Sequence, residues 1–183
     1  MRGLVCETAV YAILPANVGS FFMDERFIER DGRCLAQLMR HEGAKRAPDG
    51  THVAYYCPAG ALTIGCGHNL DALPLPGLDE LSCISEAQAR EILREDAAAA
   101  AAILDEELPW WRSLNAPRQA VLLNMAFNMG VAGLLKFKNT LRAVREMRWK
   151  DARDGMLASK WAGQVGRRAS ELAAQMLSGD WQD

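Results

Sequence analysis

A chain of 183 residues fits one domain, or one domain of two lobes with a short extension. With 50% hydrophobic and 24% charged residues it can bury a core, which excludes low-complexity disorder as a general description. A net charge of −2 gives the whole chain no electrostatic preference for a partner. The five cysteines, at 6, 34, 57, 66 and 83, show neither a paired disulfide framework nor the C-x-x-C spacing of a zinc site, so no metal and no other cofactor is expected.

Residues 3–22, GLVCETAVYAILPANVGSFF, come first and are mostly apolar. Their length nearly spans a bilayer. Glu7, Pro15 and Asn17 interrupt them, and no small-residue cleavage site is clear. Residues 1–24 are therefore read as an N-terminal extension with three readings: a weak export anchor, a packed or disordered segment, or a start placed too early, with Met23 as the working first residue. Membrane association is left open on this segment alone. Residues 25–183 are read as one α+β domain.

Residues 33–42 have Leu35, Leu38 and Met39 at helical spacing, with Gly43 as a stop. The texture then changes. Residues 44–77 are rich in Gly and Pro, with short β-type runs at 53–56 and 61–66, which predicts a small antiparallel lobe over about 43–84. Ser85 with Gln88 three residues later forms a capping box, and the helix it opens continues through a run of alanines to about Leu104. Twenty helical residues span about 30 Å, enough to link two lobes.

Residues 105–183 are read as a helical lobe. Pro117 opens a helix that Gly130 closes. NTLRAVREMRW and KDARDGMLASKW follow as amphipathic pieces, and RRASELAAQMLSG ends on a glycine cap. Between Lys136 and Arg168 there are ten Lys or Arg against three acids. Such a surface attracts polyanions, whether nucleic acid or an anionic wall, unless it is simply a solvated helix face. No recognition-helix motif is present, so no nucleic-acid partner is expected.

Glu42 continues the stripe of 35, 38 and 39 at the i+7 position and sits in the last helical turn. Partial burial and the negative helix end both disfavour an ionised carboxyl group there, which is what a general acid requires. A Glu turned to solvent at a helix end satisfies the same local pattern.

The segment that follows decides between these. AYYCPAGALTIGCGHNL resembles the glycoside hydrolase family of the T-even phage lysozymes, which carries Glu, then Asp or Cys, then Thr at the head of a T-I-G-x-G-H strand. The matching residues are Glu42, Cys57 and Thr63. AVLLNMAFNMG at 120–130, FKNTL at 137–141, RW at 148–149 and KW at 160–161 are also similar to that family. The resemblance covers roughly residues 33–181.

It implies a lysozyme-like fold and hydrolysis of the β-1,4 bond between N-acetylmuramic acid and N-acetylglucosamine in bacterial peptidoglycan. Glu42 is then the general acid, with Cys57 and Thr63 holding a water on the opposite sugar face, an arrangement that gives inversion. It further implies substrate contacts from Arg168, Gly65 and Phe137, and lysis of a host cell by a phage or prophage. The protein is expected to be a monomer, made in the host cytoplasm and acting at the cell wall or periplasm by an unspecified route. A peptidoglycan-binding module with weak or lost catalysis is the rival reading.

Within the motif, Thr63, Gly65 and Gly67 are expected on one strand face, where small residues let a sugar chain approach the backbone, and Ile64, Cys66 and His68 on the other. His68 is read as structural, with Asp96 as its ion-pair partner. In two places the chain departs from the family pattern. Cys57 stands where Asp is common, leaving base, nucleophile and bystander open. Fourteen residues, rather than the usual eight, separate Glu42 from Cys57. The additional residues are expected to lengthen a hairpin around PDGTH and bring in Asp49, either a substitute base or a turn residue.

Overall fold

The computed structural model describes residues 32–182; the readings for residues 1–24 concern residues outside that range. The fold is α+β, with eight α-helices among the described residues and two small antiparallel sheets. Two units emerge, the first ending at Ala99 and the second beginning at Ala100. No helix among the described residues is long and apolar enough to cross a membrane.

The first unit opens with helix α1, Arg33–Glu42, stopped by Gly43 at φ +67. The chain then folds back on itself as a hairpin. Ala47 N–H donates to Thr51 O (2.9 Å), Val53 N–H to Lys45 O (3.0 Å), and Arg46 pairs with His52. Its tip is an Asx turn: Asp49 Oδ1 accepts from Thr51 N–H (2.9 Å) and from Thr51 Oγ1 (2.7 Å). The additional residues thus do lengthen a hairpin around PDGTH, and Asp49 is its turn residue.

Strand β1 (His52–Val53) pairs with β5 (Cys83–Ile84), while β2 (Tyr55–Tyr56), β3 (Leu62–Ile64) and β4 (His68–Asn69) form a three-stranded sheet in that order. One expectation is corrected here. TIGCGH is not one alternating strand: β3 ends at Ile64, because Gly65 and Gly67 take φ +61 and +95. The chain turns through 65–67 and returns as β4, with Ile64 opposite His68. Backbone with positive φ cannot continue a pleat, so the alternation of faces stops at Ile64. Ile64, Leu70, Ile84 and Ala89 pack together as one buried cluster of this unit.

Helix α2, Glu86–Glu107, starts as the capping box requires. Ser85 N–H donates to Gln88 Oε1 (2.9 Å), and Gln88 N–H returns to Ser85 Oγ (3.3 Å). It runs past Leu104 to Glu107 because nothing breaks it before Pro109, which opens a 3-10 turn over Pro109–Ser113.

In the second unit α3, Ala116–Met129, is buried on nearly every side, as its apolar sequence requires. Asn115 caps it and Pro117 lies in its first turn. Around it follow α4 (Val131–Leu134), α5 (Lys138–Arg145), α6 (Trp149–Leu157), α7 (Lys160–Val165) and α8 (Arg167–Ser178). The two amphipathic pieces are cut by local chemistry: Met147 at φ +56 separates α5 from α6, and Ser159, whose Oγ accepts from Ala162 N–H (3.1 Å), starts α7 afresh. Gly179 at φ +77 ends α8 as expected.

Candidate active site

Helix α1 delivers Glu42. The helix buries Cys34, Leu35, Gln37 and Leu38, and Glu42 lies one turn beyond Leu38, half-buried at the final helical residue. The 65–67 turn stands next to it. A Cβ built on Gly67 would lie 3.8 Å from Glu42 Oε2. Glycine therefore does two things at 67: it accepts φ +95, and it keeps a side chain away from the carboxyl group. Gly65 faces elsewhere, since its Cβ would meet Ala89 and Ile84 at 3.5–3.6 Å. By position, Gly67 borders the acid and Gly65 packs on α2. Between them Cys66 is buried. Burial, and after it the charge of Glu86, pushes its thiol up to about 11, with Arg46 opposing and Glu42 adding, so it is no nucleophile at neutral pH.

Cys57 and Thr63 come from the two sides of the β2–β3 hairpin. Residues 57–61 form its turn, closed by Gly60 N–H to Cys57 O (2.8 Å) and Cys57 N–H to Ala61 O (2.9 Å). Thr63 pairs with Tyr55, so Cys57, two residues on, is its diagonal neighbour on the same sheet face. Both are buried, at 6% and 1% exposure. Thr63 Oγ1 donates its proton to Ala61 O at 3.1 Å, which leaves the oxygen lone pairs to accept from another donor.

On the far side of the hairpin, Glu86 Oε2 accepts from Arg46 (2.5 Å) and from Nε2 of the wholly buried His52 (2.8 Å). First the Arg46 bond and then the His52 bond hold the Glu86 carboxyl down at about 2. Local sequence patterns do not reveal this clamp. The long Glu42–Cys57 interval signals it, but its partner lies 34 residues beyond His52, where no local pattern reaches.

His68 and Asp96 pair as expected, Nδ1 lying 2.9 Å from Oδ2, while Nε2 donates to Leu73 O (2.9 Å). Burial lowers the His68 pKa, and the Asp96 hydrogen bond and charge outweigh it, so the net shift is upward. Among the described residues, no group of three or more His, Cys, Asp or Glu is arranged to hold a metal ion.

In the second unit Phe137 sits at the start of α5 with its ring edge-to-face with Trp161 (6.3 Å, 86°). Trp161 Nε1 donates to Asn128 Oδ1 (2.8 Å). Arg168, 9% exposed, donates from Nε to Asn124 Oδ1 (2.8 Å) and from a terminal nitrogen to Asn124 O (3.2 Å), which braces α8 to α3.

Similarities to known proteins bear on this arrangement. Residues 46–175 match a family model described as phage lysozyme. The match begins after Glu42, so the case for that residue rests on its setting beside Gly67. The pre-baseplate central spike protein Gp5 of Enterobacteria phage T4 is 27% identical over 165 residues, covering 80% of this chain and 28% of that protein. Probable T4-type lysozymes 1 and 2 of Dictyostelium discoideum are 30% and 29% identical over 69 residues, covering 38% of this chain and 41% of each. The chain thus spans well under half the length of these curated relatives. With most of its length inside the family match and the family's motif folded as a glycine turn against a helix-end glutamate, the chain belongs to the phage lysozyme family.

Proposed function

We propose that this protein is a muramidase, hydrolysing the β-1,4 bond between N-acetylmuramic acid and N-acetylglucosamine in peptidoglycan and so lysing a bacterial host. The observation that carries the reading is the approach of Gly67 to Glu42: a half-buried carboxyl group faces a turn residue without a side chain, where an added Cβ would stand 3.8 Å from Glu42 Oε2, and that space suits a sugar oxygen. Glu42 gives its proton to the leaving glycosidic oxygen. A water held by Thr63 Oγ1 and Cys57 attacks the anomeric carbon from the opposite face, and its second proton passes to solvent as Glu42 is reprotonated. The glycosidic bond breaks, a hydroxyl is added at the anomeric centre, and the configuration inverts. Peptidoglycan is the partner, the working unit is a monomer, and neither nucleic acid nor a cofactor takes part. Arg168 and Phe137 are proposed as further substrate contacts.

Cys57 in place of the family's Asp favours one other reading, a wall-binding module whose catalysis is weak. Reducing-end release from purified peptidoglycan separates the two. Wild type is expected to cleave, and Glu42→Gln to lose at least a hundredfold in rate, the usual worth of a general acid. Cys57→Ser is expected to retain most of the rate and to leave the product anomer inverted by NMR. A retained anomer would identify Cys57 as nucleophile and remove the water-holding role. Binding without any reducing-end release would remove the hydrolase reading itself.

A further inference from the structure

The hairpin that follows Glu42 carries a side chain whose position the mechanism does not use. Lys45 is exposed, and its ammonium stands 6.0 Å from the centroid of the Tyr55 ring. The backbone fixes both. Val53 N–H donates to Lys45 O at 3.0 Å, which places Lys45 across the hairpin from Val53. Tyr55 pairs directly with Thr63 and precedes Cys57 by two residues, so ring, thiol and hydroxyl share one sheet face. Exposure differs between these three and Lys45, which lies outside their sheet. Thr63 and Cys57 are buried, Tyr55 is half-buried, and Lys45 is open to solvent. The neighbouring Arg46 is taken up by Glu86, whereas Lys45 has no ion-pair partner among the described residues.

We infer that Lys45 and Tyr55 form a subsite for the acid-bearing sugar of the substrate, the ring of Tyr55 carrying the sugar's apolar face and Lys45 meeting its carboxylate. The inference rests on the muramidase reading and specifies which half of the disaccharide lies beside the hairpin. The chemistry is matched on both counts. An aromatic face offers a sugar ring apolar area at low entropic cost. A lysine ammonium is a flexible point charge suited to a carboxylate held on a mobile substituent. Of the two sugars in peptidoglycan only the muramic residue carries an acid, either free on its lactyl ether or on the peptide attached there. The same chemistry serves both sources.

Three substrates read this in the full chain: peptide-bearing peptidoglycan, glycan strands stripped of peptide by an amidase, and an uncharged chitooligosaccharide. Lys45→Gln is expected to raise KM roughly fivefold on the charged substrates with kcat unchanged, the scale of one solvent-exposed charge pair. Lys45→Arg is expected to restore it, and neither variant should change cleavage or binding of the chitooligosaccharide. Tyr55→Leu should weaken all three, because it removes the stacking face. A KM effect confined to stripped strands identifies the lactyl carboxylate, and one confined to peptide-bearing substrate identifies the peptide acid. An equal loss on charged and uncharged substrates, or no change with Lys45→Gln, overturns the inference. If wild type cleaves nothing, the muramidase reading has failed separately. Co-sedimentation of Glu42→Gln and Glu42→Gln/Lys45→Gln with stripped strands then tests the subsite alone, and equal binding would reject it.

Discussion

At the scale of single residues, Gly67 is where conformation and chemistry are hardest to separate, and two glycines on the same chain separate them. Gly67 and Gly50 adopt φ +95 and +88. A Cβ at Gly50 would meet nothing within 4 Å, whereas one at Gly67 would stand 3.8 Å from Glu42 Oε2. Alanine at either position forces left-handed backbone, with a strain of about 1–2 kcal/mol. Gly50→Ala and Gly67→Ala should therefore lose similar stability in urea unfolding. Only Gly67→Ala should lose kcat, by tenfold or more, since its methyl group occupies the approach to the acid. Equal activity in the two variants would remove Gly67 from the site. The sequence marks both glycines but assigns 67 to a strand face, because alternation is the only geometry a short apolar run displays. The left-handed turn that puts Gly67 against Glu42 depends on the pairing of β3 with β4, which no local pattern states.

At the scale of elements, α1, α2, α3 and α8 are legible to within a few residues, because their limits are set locally, whereas α4 and the break between α6 and α7 are not. Gly43, Ser85 with Gln88, Pro117 and Gly179 are each a stop or a cap readable in isolation. The hairpin after α1 was legible as an interval that is too long, yet what secures it was not. His52 is wholly buried, its Nδ1 has no hydrogen-bond partner, and Nε2 depends on Glu86 in the first turn of α2. Glu86→Ala strands both nitrogens of a buried ring and should cost about 2–3 kcal/mol, the penalty for an unsatisfied buried group. Replacing the ring by an apolar one of similar shape removes that penalty. Glu86→Ala/His52→Phe should therefore be more stable than Glu86→Ala alone, an inversion of the usual additivity. Additive losses in chemical denaturation would mean that the clamp holds the hairpin by packing and not by its hydrogen bond.

At the scale of the whole molecule, two shifted groups bound the pH range of greatest stability. Glu86 is held down at about 2 from its ordinary 4.5, by the Arg46 and His52 hydrogen bonds. Its contribution is complete above 4.5 and is lost as pH falls toward 2. The carboxyl group is half exposed, so solvent screens much of this effect. His68 is shifted the other way, above its ordinary 6.5: burial alone would lower it, but the Asp96 hydrogen bond and charge prevail. A group whose folded pKa is raised stabilises fully below its unfolded value, and the stabilisation fades as pH climbs through the folded one. The His68–Asp96 pair is buried on both sides, so its share is the less screened of the two. The unfolding midpoint of the wild type should therefore fall as pH rises above 6.5, and His68→Asn should be less stable at pH 5.5 but flatter from 6.5 to 8. The measurement is thermal unfolding of both proteins across pH 4.5–8.5. A wild-type midpoint that rises through that window while the variant's stays parallel to it would show that the pair holds β4 to α2 by shape alone, with no linked proton.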